Sequence, residues 1–294
     1  MSKFRLRGKR RKNKTPREGS IPLRAMAPNL ITSLAACGGI TSITIVATNY
    51  AHTLAGTPAT PRDWFKALLA LLVACICDAM DGRVARLLKC SSKLGAELDS
   101  LADFVNFGVA PAMFMYFWCL CSQPQMTLFV RNLLLCTALF YAMCDAFRLA
   151  RFNTMLEQET APYWTHFFTG VPAPGGCWMV LTPAMVALAL DLKWSPSPCL
   201  GIFMLLFVGS LMASRLPTIS LKHLRIPKAW LPFVLAALLL LVALLVSNFW
   251  LTLGALGVGY ILTIPLTGWI FLRVRDRYER NHGPGTLDGN RTIV

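Results

Sequence analysis

The chain has 294 residues, 55% of them hydrophobic, and a mean hydropathy of +0.53, which predicts a polytopic membrane protein with one helical domain. The net charge of +15 would suit nucleic acid, but the basic residues lie in the tails and short loops, where anionic lipid headgroups explain them. The ten cysteines lie mostly in apolar segments and predict neither a disulfide framework nor a zinc site. We therefore expect a membrane-lipid environment and no nucleic-acid partner.

The N-terminal segment is strongly basic. Residues 1–24 hold ten Lys and Arg residues against one acid, Glu18. No short apolar region with a small-residue cleavage site follows, so a cytoplasmic tail lying on anionic lipid is favoured over a targeting signal. Residues 21–28 suit a short interfacial helix. We assign residues 1–27 to this tail and helix.

Eight apolar segments follow and predict an all-α bundle of about eight transmembrane helices. With the N-terminus inside, the basic segments 82–97, 148–156, 215–228 and 273–280 all lie on the cytoplasmic side. The first four predicted spans cover about residues 28–50, 63–80, 98–121 and 128–150. The fifth begins after Gly176 and ends at about residue 190, and the last three cover about 197–214, 229–249 and 252–272.

Four carboxylates lie at or near the ends of the second and third predicted spans. Asp78 and Asp81 are three residues apart, and Asp99 and Asp103 are four apart, so on helices each pair shares one face. Acids at membrane depth normally face a bundle interior or an aqueous cavity. Four converging acids repel one another and invite a cation, and oxygen-only ligands suit Mg²⁺ or Mn²⁺.

The residues between these acids suit a phosphorylated ligand. Gly82, Ala85 and Gly95 keep the backbone bare, so a ligand can approach closely. Arg86 adds a planar cation suited to phosphate. Together with the acids, these residues predict a divalent-metal site on the cytoplasmic side of a membrane.

The spacing also forms a family signature. Asp-x2-Asp-Gly-x2-Ala-Arg-x8-Gly-x3-Asp-x3-Asp is satisfied at every position from Asp78 to Asp103. The chain therefore resembles the CDP-alcohol phosphotransferases, integral membrane enzymes that make phospholipids.

Pro at residue 28 is expected at a helix start on geometry alone. In the resemblance, however, Pro-Asn29-x2-Thr32 lies near the nucleotide site, which makes Asn29 and Thr32 candidate nucleotide-binding residues.

Four further blocks, 94–112, 148–153, 168–174 and 211–214, are similar to the bacterial branch of the family that uses L-serine. This resemblance implies transfer of a phosphatidyl group from CDP-diacylglycerol to the serine hydroxyl, with release of CMP. It also implies a homodimer in the bacterial inner membrane with the site facing the cytoplasm. The expected units are a six-helix core (28–222), two additional helices (223–272) and a basic tail (273–294). Asp145 and Gly175-Gly176 depart from the pattern.

The resemblance suggests a role for each acid. Asp78, Asp81 and Asp99 would bind a first metal ion, and Asp103 would join a second or act as the general base for the serine hydroxyl. The metal and Arg86 would neutralise the pyrophosphate.

Two arginines at the end of the fourth span are further candidates. Arg148 and Arg151 share a helix face and would contact a lipid phosphate or the serine carboxylate, although cytoplasmic anchoring explains them about equally well. Asp145 is expected to pair with Arg148 rather than bind metal.

Two alternatives stay open. The four acids do not distinguish serine from glycerol 3-phosphate, inositol or choline as the acceptor. Intramembrane acids also mark ion paths in cation-coupled transporters. In transporters such acids usually lie near the bilayer midplane within repeats, and here they cluster near one face. Ser-His catalysis is disfavoured because no histidine pairs with a plausible nucleophile.

Overall fold

The computed structural model describes residues 23–57, 59–88, 92–155, 167–191, 197–214, 217–219 and 230–282. Over these residues the protein is a bundle of α-helices with one short antiparallel pair of strands, β1 (Phe167–Thr169) and β2 (Pro217–Ile219). The helices are α1 (Leu23–Leu54), α2 (Pro61–Leu88), α3 (Lys93–Asp103), α4 (Ala110–Ser122), α5 (Leu128–Met155), α6 (Ala173–Ala189), α7 (Pro198–Ala213), α8 (Leu231–Ser247) and α9 (Phe249–His282).

The described helices form eight rods, the number of spans that the sequence predicts. A π-helical segment, Phe104–Val109, joins α3 and α4 into one rod, Lys93–Ser122. Among the described residues, this rod, Met26–Leu54, Leu128–Thr154 and Phe249–Trp269 are long and apolar enough to cross a membrane by themselves. Three shorter apolar helices are α6, α7 and α8. The apolar part of α2 is interrupted by Lys66, Asp78 and Asp81.

The close contact of α1 with α2 positions one wall of the site. Gly38 allows this approach, because a Cβ there would lie 2.9 Å from the Cβ of Ala74. Ala35 and Val46 are fully buried on the same helix. The buried face of α1 also contains the polar residues Thr32, Ser42 and Asn49, so apolar and polar side chains alternate along it.

The π-helical segment packs against α5. The hydroxyl of Tyr141, which is fully buried, donates a hydrogen bond to the carbonyl of Phe107 at 2.9 Å. A π-turn leaves backbone carbonyls displaced from the regular α-helical ladder, and this side chain satisfies one of them. The segment follows directly after Asp103, so its geometry sets where the end of α3 lies.

The two C-terminal helices differ in burial. Helix α9 packs on α6, where Trp178 Nε1 donates to the carbonyl of Leu253 at 2.9 Å and Gly257 lies against Thr182. No residue of α8 is buried, which agrees with the lipid-facing helix expected from its uniformly apolar sequence. The division of the chain at residue 222 stays a prediction.

Two helices, α1 and α2, extend beyond the bounds that the sequence predicts. Helix α1 begins at Leu23 and continues through Pro28, so the described part of the predicted interfacial helix is continuous with the first span. Helix α2 continues to Leu88, which keeps Asp78 through Arg86 on one helix. In both cases apolar or helix-favouring residues extend the helix beyond the segment that hydropathy alone marks.

Several predicted segments lie outside the described residues. These are the tail before residue 23, most of the polar stretch (156–166), most of the basic segment 215–228 and the tail beyond residue 282.

Candidate metal and nucleotide site

Three carboxylates converge at one end of the bundle. Asp78 on α2 and Asp99 and Asp103 on α3 each offer an oxygen, and these oxygens all lie within 4.8 Å of one another. The i, i+4 spacing places Asp99 and Asp103 on the face of α3 that meets α2. This is the one group of three or more His, Cys, Asp or Glu ligands found in the described part of the chain.

The environment of these acids fits a divalent cation. Asp78 Oδ1 is buried and has no hydrogen-bond partner among the described residues. The carboxyl groups of Asp78 and Asp103 lie within hydrogen-bonding reach of each other. No lysine or arginine of the described residues forms an ion pair with any of the three acids. A cluster of oxygen ligands without a protein counter-charge suits Mg²⁺ or Mn²⁺.

Asp81 lies beside this trio with partners of its own. Its side chain is buried, Oδ2 accepts a hydrogen bond from the Thr32 hydroxyl at 2.6 Å, and Oδ1 accepts one from the backbone N–H of Gly82. Thr32, a nucleotide candidate in the sequence, therefore also orients a predicted metal ligand. Its contact ties α1 to the acidic motif of α2.

A cleft adjoins the acids and collects most of the predicted nucleotide-binding residues. Gly82 faces open space, since a Cβ there would have no neighbour within 4 Å. Gly95 instead leaves room for the side chain of Asn29, because a Cβ at position 95 would lie 2.9 Å from Asn29 Oδ1. The lining comprises the predicted Asn29, Thr32, Asp81, Gly82, Ala85, Gly95 and Asp99, together with Pro28, Ser92 and Ala96.

Ser92 is a lining residue that the sequence reasoning missed. It caps the N-terminus of α3, where its hydroxyl accepts a hydrogen bond from the N–H of Gly95 at 3.0 Å. The available signal was a serine directly before a helix-forming run. Arg86 does not line the cleft. Its Nε donates to the carbonyl of Gly82 at 3.0 Å, so its exposed guanidinium projects from the same helix one turn away.

The two candidate arginines of α5 have different surroundings. Arg148 Nε lies 3.5 Å from Asp145 Oδ1, which confirms the predicted pairing. Arg151 donates to the carbonyls of Ala213 and Ser214, both at 3.1 Å, and of Met212 at 3.4 Å. Arg151 therefore caps the C-terminal end of α7.

A helical membrane bundle with a carboxylate cluster and a small-residue cleft at one end defines a membrane enzyme suited to phosphorylated substrates. Residues 25–208 match the family model for CDP-alcohol phosphatidyltransferase, which covers more than half of the chain. The chain belongs to this family, and the resemblance stated from its acidic motif is confirmed.

Three curated relatives carry the name CDP-diacylglycerol–serine O-phosphatidyltransferase. The Mycobacterium leprae protein is 34% identical over 240 residues, covering 81% of this chain and 73% of the relative. The Mycobacterium tuberculosis H37Rv protein is 32% identical over 240 residues, with 81% and 76% covered. The Helicobacter pylori 26695 protein is 30% identical over 256 residues, with 86% and 95% covered.

Proposed function

We propose that this protein transfers the phosphatidyl group of CDP-diacylglycerol to the hydroxyl of L-serine, giving phosphatidylserine and CMP. The observation that carries the proposal is the three-carboxylate cluster beside the small-residue cleft. Such a site can hold a nucleotide diphosphate against a metal ion. Serine is proposed because the serine-using relatives match this chain over most of its length.

The acids would hold Mg²⁺ or Mn²⁺. Asp78, Asp81 and Asp99 would bind a first metal ion, with Asp81 held in position by Thr32, and Asp103 would join some of them on a second. A bound divalent ion neutralises the pyrophosphate and the charge that develops on the departing CMP. The family depends on divalent metals in general, and both ions suit hard oxygen ligands.

The cleft would bind the cytidine nucleotide. Asn29 and Ser92 provide polar groups, while Gly82, Ala85 and Gly95 let the backbone approach the ligand. Arg86, exposed one turn beyond Gly82, would contact a phosphate oxygen of a ligand that extends out of the cleft.

Asp103 is the proposed general base. As the serine oxygen bonds to the phosphatidyl phosphorus, the bond from that phosphorus to the CMP oxygen breaks, and the hydroxyl proton passes to the Asp103 carboxylate. The pair of electrons from the broken bond leaves with CMP. Asp78, close to Asp103, holds that carboxyl group at the site.

Arg148 is the proposed contact for the serine carboxylate, with the lipid phosphate as its other predicted ligand. Its side chain is mostly buried, at 14% exposure, and it lies on the helix that packs against the segment following Asp103. Arg151 stays a weaker candidate for the same role, because its terminal nitrogens already donate to the end of α7.

The location and assembly of the enzyme follow the same reasoning. We place it in the bacterial inner membrane with the acidic site on the cytoplasmic side, where nucleotide and metal are available and the basic loops are favoured. We also propose a homodimer, which crosslinking in native membranes followed by mass analysis would test. A monomer at all protein concentrations would contradict it.

The function is tested by following CMP release from CDP-diacylglycerol with purified protein and Mn²⁺ or Mg²⁺. Serine, glycerol 3-phosphate, inositol and choline are supplied separately. We expect release with serine alone and its loss on addition of a chelator. Release with a different acceptor would retain the family and overturn serine, whereas no release with any acceptor from folded protein would reopen the transporter alternative.

The substitution Gly82→Ala tests the nucleotide cleft. The added methyl group meets no protein atom within 4 Å, so the fold is retained and helix propensity improves by about 1 kcal/mol. In the cleft, the methyl group displaces bound ligand, and the KM for CDP-diacylglycerol is expected to rise about 10- to 200-fold. Gly259→Ala is the matched control, since Gly259 is also helical and faces open space. An unchanged KM in Gly82→Ala would remove Gly82 from the nucleotide site.

A further inference from the structure

Asp145 is a buried acid outside the four-Asp motif. Its side chain is fully buried, and its Oδ1 faces Arg148 Nε at 3.5 Å. Its Oδ2 has no hydrogen-bond partner among the described residues. A buried ion pair of this kind contributes little net stability, because removing both charges from water offsets their attraction. The placement of Asp145 therefore calls for an explanation other than stability.

Two contacts place this pair beside the catalytic acids. Asp145 lies against Gly108 of the π-helical segment, and Asn153 Nδ2 donates to Ser100 Oγ of α3 at 3.0 Å. From the first contact to the second, α5 advances eight residues and the partner rod goes back eight residues, so the two helical segments run antiparallel. Arg148, three residues after Asp145, consequently lies level with the start of the π-helical segment, which follows Asp103 in the chain.

Gly108 is shaped to accept the Asp145 carboxylate. A Cβ at position 108 would lie 2.8 Å from Asp145 Oδ2 and 3.2 Å from a ring carbon of Phe104. Both neighbours are thus in contact with the bare glycine. The carboxylate is fixed between this backbone and Arg148, so the direction in which Arg148 leaves the helix is fixed as well.

The guanidinium of Arg148 uses its Nε–H group for the contact with Asp145, and its other N–H groups lie on the two terminal nitrogens. Within the described part of the chain, the Nε contact with Asp145 is the hydrogen bond that Arg148 makes. The N–H groups on the two terminal nitrogens remain for a ligand. A guanidinium held in this way presents a planar pair of donors that matches a carboxylate.

We propose that Asp145 is a positioning residue that sets acceptor specificity: it orients Arg148 so that the terminal nitrogens bind the carboxylate of L-serine. This inference rests on the proposed function and deepens it. Asp145 itself touches no substrate. It acts through Arg148, and acceptors without a carboxylate gain nothing from it.

The test compares L-serine with serinol, which keeps the hydroxyl and the ammonium group but has no carboxylate. Serinol is measured as an acceptor or, where its turnover is slow, as a competitive inhibitor against serine. For Asp145→Leu we expect the KM for serine to rise roughly 10- to 100-fold, since a charged hydrogen bond is lost. The kcat, the KM for CDP-diacylglycerol and the constant for serinol should change less than about threefold.

Asp145→Asn provides the conservative variant. Its amide oxygen still accepts from Arg148 Nε, so it should restore most of the affinity for serine while preserving the size of the buried side chain. Met143→Leu is the matched control, because Met143 is exposed on the same helix. It should leave the constants for serine and serinol unchanged.

The outcomes separate the two levels of the proposal. Equal losses for serine and serinol in both Asp145 variants would show a merely structural role and overturn the inference, as would unchanged kinetics. Loss of CDP-diacylglycerol affinity instead would assign Arg148 to the lipid phosphate and also overturn it. Failure of the unmodified protein to use serine would reject the proposed function itself.

Discussion

Asp99→Asn is expected to lower the rate of CMP release at least about 100-fold, and saturating Mn²⁺ should recover only part of this loss. Asp99 is the described residue that belongs both to the three-carboxylate cluster and to the lining of the nucleotide cleft. It supplies one of the three close carboxylate oxygens and also lines the nucleotide cleft. An amide retains its shape but loses the charge that opposes a divalent cation. Steady-state rates over a Mn²⁺ titration, with binding of Mn²⁺ followed by electron paramagnetic resonance, provide the measurement.

The control for this substitution is Glu97→Gln. Glu97 is an acid two residues earlier on α3, and its side chain is exposed. Its removal changes the local charge equally but should leave metal binding and turnover unchanged. Equal effects in the two variants would show that Asp99 acts through general electrostatics, and normal turnover in Asp99→Asn would exclude it from the metal site.

Asp103→Asn is expected to lower turnover about 10²- to 10⁴-fold while CDP-diacylglycerol binding is retained. The amide cannot accept the serine hydroxyl proton, yet it occupies the same volume between Asp78 and the π-helical segment. Single-turnover CMP release measures the chemical step, and equilibrium binding of CDP-diacylglycerol measures the ground state. A fall in rate without a fall in binding identifies the base.

Asp103 is also a proposed second-metal ligand, and the two duties have different signatures. If metal coordination is its main duty, Asp103→Asn will weaken Mn²⁺ binding in parallel with turnover. Asp191→Asn serves as the control, since Asp191 is an exposed residue at the end of α6 with φ 45°, a conformation that asparagine also tolerates. Normal turnover in Asp103→Asn would eliminate both duties.

Much of the fold follows from hydropathy and charge. The eight apolar segments correspond to the eight helical rods, because burying backbone polar groups in lipid requires helices. The ends of the rods follow less well. Pro28 lies inside α1, and α2 continues to Leu88, since tertiary contacts and helix-favouring residues extend helices beyond their apolar parts. The π-helical segment Phe104–Val109 has no signal in the hydrophobic pattern.

The candidate site follows from spacing to a comparable extent. The i, i+4 interval places Asp99 and Asp103 on one face of α3, and five of the six nucleotide candidates line one cleft. The meeting of these two acids with Asp78 of α2 depends instead on how the two helices pack. Arg86 lies just outside this lining. Ser92 was missed because a capping serine is a common local signal that does not by itself indicate a ligand.

By itself, the sequence determined the class of protein, the number of helical rods and which acids share a face of one helix, because these depend on composition and on intervals within a helix. Only the tertiary structure decided which residues from distant parts of the chain the charged side chains contact. It directs Asp81 to Thr32, Arg151 to the end of α7, and Asp145 to Gly108. Such contacts join residues far apart in the chain, and they depend on how close the small residues allow two helices to approach.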